Sequence, residues 1–91
     1  MDKIKALIIA YSEKNFDSCT YYIVEIKKSD LKNLWTNEEK FVEGLLLKIK
    51  NKNPIAETSS YTDYLKKTIQ LSKNQKTELE IEIDLGRKKV L

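Results

Sequence analysis

Four carboxylates occupy every second position near the end of the chain: Glu78, Glu80, Glu82 and Asp84, with Leu79, Ile81 and Ile83 between them and Leu85 after the last. Successive side chains of a β-strand point to opposite faces, so this segment carries one aliphatic face and one acidic face. Carboxylates two residues apart in a strand lie about 6.8 Å from one another, comparable to phosphates along a nucleic-acid strand. A rigid row of that kind could occupy a basic groove that otherwise holds nucleic acid, or dock on a basic protein surface. The plainer reading is a solvated strand face whose charges discourage edge-to-edge pairing.

The opposite charge is concentrated in the middle of the chain. Lys48, Lys50, Lys52, Lys66 and Lys67, with Lys73 and Lys76 and the run Arg87, Lys88, Lys89, could form a phosphate-binding patch. Against this, the 17 basic residues include one arginine only, and arginine is the side chain best suited to forked phosphate contacts. Neither a helix-turn-helix, nor a zinc finger, nor an aromatic RNA platform is legible. A solvated lysine-rich helix surface is the simpler account.

The aromatic residues are spread along the chain. Tyr22, Phe41 and Trp35 are expected in the core. Tyr11, Tyr21 and Ile23, with Ile9, share the other face of the first two strands. If helices cover one face of the sheet alone, these residues form an exposed apolar patch, which usually marks a protein contact. A covering helix or a second copy of the chain is the alternative.

Catalytic chemistry has little to work with. The chain has no histidine, which removes the commonest general base and metal ligand. Glu38, Glu39 and Asp63 lack partners at metal-ligand spacing. Cys19 stands near a turn without a histidine to activate it. Gly44 and Gly86 build no phosphate loop. These features argue against an enzyme and imply neither a metal nor a cofactor.

The elements that must position these groups follow from periodicity. Residues 4–11 read as a strand that is apolar on both faces, as expected of an interior strand or one covered on both sides. Residues 12–18 are polar, with Asn15 and Asp17 suited to a turn. Residues 20–27 read as a second strand, so the two make an antiparallel hairpin. Ser29 or Asp30 caps a helical stretch, and Thr36 with Glu39 forms a capping-box pattern that allows a second helical start. Phe41, Val42, Leu45, Leu46 and Ile49 continue an apolar stripe, and Pro54 bars its extension. Residues 55–59 read as a linker. Ser60 caps a last helix whose inner face is drawn from Tyr61, Tyr64, Leu65, Thr68, Ile69 and Leu71. Gly86 ends the acidic strand, and Arg87–Lys89 begin a tail expected to fray.

The order strand, strand, helical region, helix, strand predicts an α+β two-layer sandwich: a small three-stranded, mostly antiparallel sheet with helices on one face. At 91 residues the chain is expected to form one domain. Its longest apolar run, residues 6–11, is far short of the roughly 20 residues that span a bilayer. One cysteine permits no internal disulfide, which suits a reducing compartment, so a cytoplasmic location with no membrane partner is expected. The lysine, isoleucine and asparagine bias resembles AT-rich coding. The expected function is a small non-catalytic protein-binding module. Its concrete form is a phage or mobile-element inhibitor, of anti-defence type, that blocks a nucleic-acid-handling protein. The alternatives are a nucleic-acid-binding module using the lysine-rich helices, and a structural homodimer or larger homo-oligomer.

Overall fold

A computed structural model describes residues 2–12 and 18–91 of the chain. The expected turn at Asn15 and Asp17 lies outside the described residues. Strand β1 (Lys3–Tyr11) is followed by β2 (Cys19–Lys27), a 3-10 turn (Lys28–Leu31), helices α1 (Lys32–Thr36) and α2 (Glu38–Ile49), and strand β3 (Ala56–Thr58). Helix α3 (Tyr61–Gln75) then leads into β4 (Leu79–Asp84) and β5 (Lys89–Val90).

The strands form one five-stranded sheet in the order β3-β2-β1-β4-β5. β1 is antiparallel to β2 and parallel to β4, while β2–β3 and β4–β5 are antiparallel. The expectation of three mostly antiparallel strands is therefore wrong. The sheet is mixed and larger, because the presumed linker contributes β3 and the presumed fraying tail contributes β5. Ala56, Glu57 and Thr58 pair with Tyr21, Thr20 and Cys19. Lys88 adopts a left-handed φ of 52° in the turn that folds β5 back onto β4. Strands of three and two residues are too short for an alternation to register in sequence.

The second correction concerns the layers. On one face Ile4, Ala6, Ile8, Val24, Ile26, Ile81 and Ile83 pack with Phe41, Val42, Leu45 and Ile49 of α2. On the other, Leu7, Ile9, Tyr11, Cys19 and Tyr21 pack with Tyr64 of α3. Helices thus cover both faces rather than one. β1 lies at the centre of the sheet, and its residues from Ala6 to Tyr11 are buried. An uninterrupted apolar run is what burial on both faces requires.

The helical region resolves into two abutting helices. Asn37 sits between them with a non-helical backbone (φ −152°, ψ 75°), and its Oδ1 accepts a hydrogen bond from the Lys40 N–H at 3.2 Å. The cap is therefore Asn37, not Thr36, whose hydroxyl donates back to the Lys32 carbonyl at 2.9 Å. Ser60 caps α3 as its sequence suggests, its Oγ accepting from the Asp63 N–H at 3.1 Å. No helix among the described residues is long and apolar enough to cross a membrane.

Candidate functional site

β4 alternates as the sequence requires, with Ile81 and Ile83 buried against the α2 layer. Its acidic face, however, turns toward the α3 layer, and the four carboxylates have different surroundings. Glu78 and Glu80 are exposed. Glu82 is half-buried, and its Oε1 accepts a 2.6 Å hydrogen bond from the Tyr64 hydroxyl. Asp84 is buried. Its Oδ1 accepts from the N–H groups of Gly86 and Arg87 at 3.0 and 3.3 Å, and its Oδ2 stands 3.7 Å from Arg87 Nε. An aspartate holding the following backbone amides is a turn-forming arrangement. Two of the four charges are thus committed inside the fold, and the row available to a partner shortens to Glu78 and Glu80.

The expected aromatic patch is covered. Tyr11 and Tyr21 are buried beneath α3, and Ile23 is partly buried at the margin of the same cluster. The Tyr21 hydroxyl lies 3.2 Å from the Tyr64 carbonyl, to which it donates, and 3.1 Å from Thr68 Oγ1. Burial pushes the Tyr64 phenol well above the ordinary tyrosine value, and the hydrogen bond to Glu82 adds to the effect, because ionisation would set two negative charges together. Burial likewise raises Tyr21, and it raises Tyr11 with help from the nearby charge of Asp84. The Tyr21 and Tyr64 phenols tie α3 to the sheet in their neutral form.

The lysines do not gather into one patch. Lys48 and Lys50 belong to the α2 layer, and Lys66 and Lys67 to α3, with the sheet between the two layers. Lys52 donates to the Ile23 carbonyl at 3.3 Å. Arg87, Lys88 and Lys89 are exposed around the β4–β5 turn. Cys19 is buried, in register with Tyr11 on one side and Thr58 on the other. Among the described residues, no group of three or more carboxylates or thiols is placed to hold a metal ion.

The apolar surface that does face solvent lies elsewhere. Tyr61, Leu65 and Ile69, expected on the inner face of α3, form an exposed line at steps of four. Tyr64, Thr68 and Leu71 take the inner side. Six residues spanned too wide an arc to fit under one helix face. Trp35, expected in the core, is 86% exposed. The interruption at Asn37 takes α1 out of phase with α2, so Leu31 and Leu34 meet the core and the adjacent Trp35 points away.

Trp35 borders a groove of about 370 Å³ whose apolar lining also includes Leu34, Leu79, Ile81, Val90 and Leu91. Glu38 and Glu80 complete the lining, and Glu38 Oε1 accepts from the Val90 N–H at 3.0 Å, fastening β5 to the start of α2. β5 pairs with Ile83 and Asp84, and the Leu91 N–H donates to the Glu82 carbonyl at 3.0 Å. Among the described residues, no strand pairs with the outer edge of Leu79–Ile81. Sequence reasoning missed this groove because it joins three segments distant along the chain. The one sequence signal was the helix start signalled near Thr36, which separates Trp35 from the α2 stripe.

The described residues define an α+β protein in which three α-helices flank a five-stranded mixed sheet. No family model, curated protein or solved structure matches the chain.

Proposed function

We propose that this protein is a non-catalytic protein-binding module whose contact surface centres on Trp35 and the adjoining outer edge of β4. The observation that carries the reading is the exposure of Trp35 beside an apolar groove. A large aromatic held in water forgoes the stabilisation that burial brings, and aromatic residues concentrate binding energy at protein contacts. Six of the eight residues that line the groove are apolar, which suits recognition more than chemistry. In its narrower form the module is an inhibitor that blocks a nucleic-acid-handling protein. Within the acidic row, Glu78 and Glu80 are exposed and can engage a basic surface.

Affinity capture from a lysate of the encoding organism, run in parallel with wild-type protein and Trp35→Ala, tests the reading. Because the side chain is exposed, the variant keeps its stability within about 0.5 kcal/mol. A protein retained by the wild type is expected to bind the variant about tenfold less well or worse. Capture that is identical for the two proteins, or empty for both, overturns the proposal.

A further inference from the structure

We infer that the groove beside Trp35 receives an extended segment of another protein, added antiparallel to β4 and alternating aliphatic with basic residues. The inference rests on the protein-binding reading and names the chemistry of the partner. Backbone groups alternate along a strand, so the N–H and C=O of Glu80 point to the same edge as the Glu82 carbonyl, which accepts from Leu91. Among the described residues β5 pairs with Ile83 and Asp84 and Leu91 bonds to Glu82, so the Glu80 donor and acceptor point outward next to the groove with no strand paired to them. An open edge of this kind is a template for a further strand.

The side chains flanking that edge define what fits. Leu79 and Ile81 face the α2 layer, where Leu34 and Trp35 extend the apolar surface. Glu80 faces the other way, in register with Leu7, and its carboxylate is exposed. An added strand would therefore set one of its residues opposite Glu80, with its neighbours over Trp35. Opposite charges pair favourably across a sheet and like charges do not, so the residue facing Glu80 is lysine or arginine and its neighbours are aliphatic. The same rule disfavours a second copy of this chain, because two β4 edges paired antiparallel about Glu80 would juxtapose their carboxylates.

Trp35 is the sole tryptophan, so its emission reports the groove directly. The probe is an eight-residue peptide of alternating lysine and valine. It is expected to produce a saturable blue shift of Trp35 emission and to move the Glu80 amide resonance. Glu80→Lys is expected to raise the dissociation constant about tenfold. In an antiparallel pair the residue opposite Glu80 directs its own backbone toward it, so N-methylation of the lysine amides abolishes binding, whereas methylation of the valine amides leaves it. No response of Trp35 up to about 1 mM peptide, or binding that survives lysine-amide methylation or Glu80→Lys unchanged, overturns the inference. Trp35-dependent capture of a protein together with an unresponsive peptide removes this inference and leaves the protein-binding reading standing. Self-association of the peptide-free protein through the Glu80 edge, seen by sedimentation and abolished by Glu80→Lys, also overturns it.

Discussion

The two faces of the sheet are built from different materials. The face beneath α2 gathers eleven buried residues from three strands and one helix, all aliphatic apart from Phe41, with Tyr22 half-buried at its margin. The face beneath α3 is held by fewer apolar contacts and by hydroxyl groups: Tyr21 to the Tyr64 carbonyl and Thr68, and Tyr64 to Glu82. The first face is non-directional, tolerating rearrangement as long as volume is conserved. The second depends on the geometry and protonation of a few groups, and a buried polar group is costly once its partner is lost. β4 belongs to both, with Ile81 and Glu82 adjacent in sequence and opposite in surroundings.

Substitutions in β4 and its partners can break or sharpen this contrast. The largest effect is expected on the aliphatic side, where Ile81→Ala destabilises the protein by about 2–5 kcal/mol in denaturant unfolding. A loss under about 1 kcal/mol would mean that the face beneath α2 is not the main core. On the hydroxyl side Tyr64→Phe removes a charge-assisted hydrogen bond, at a cost of about 1.5–3 kcal/mol. It also gives the contrast a pH signature. The Tyr64, Tyr21 and Tyr11 phenols are raised from 10.0 by burial, so the neutral forms are favoured in the fold. The unfolded chain releases those protons first. The stabilisation is therefore complete below pH 10 and is lost as pH climbs above it through the raised values. Tyr64→Phe is expected to flatten this alkaline decline, and an unaltered profile would show that Tyr64 contributes nothing to it. The smallest effect is at Glu80→Lys, within about 0.5 kcal/mol because the side chain is exposed. Glu82→Lys, two residues on, takes the acceptor away from Tyr64, so equal unfolding midpoints for these two charge reversals would erase the distinction within the acidic row.

The alternation of β4, the two-sided apolarity of β1, the α2 stripe and the Ser60 cap were all legible in the residues, because each is a local pattern. What lies over a strand face is not a local property. Glu82 and Asp84 read as solvated because carboxylates usually are. One is instead met by a tyrosine eighteen residues earlier and the other by the turn that follows it. Tyr11 and Tyr21 read as a surface patch only because one helical layer was assumed. β3 and β5 carried no signal at their length, and without β5 there is no groove. Trp35 was placed inside by its apolar character, although Leu34 beside it had already taken the inward position in α1.

Glu38 connects parts of the molecule that the chain keeps far apart. Its carboxylate ties the backbone of Val90 to the start of α2, fifty-two residues earlier, and so draws one wall of the Trp35 groove against the other. The recognition proposed for that groove would accordingly depend on an intact latch: Glu38→Gln would loosen the β5 flap, and faster hydrogen exchange at the Val90 amide would register the loosening before the rest of the protein unfolds. Proteolytic nicking of that flap would disarm the surface while leaving the central strands in place.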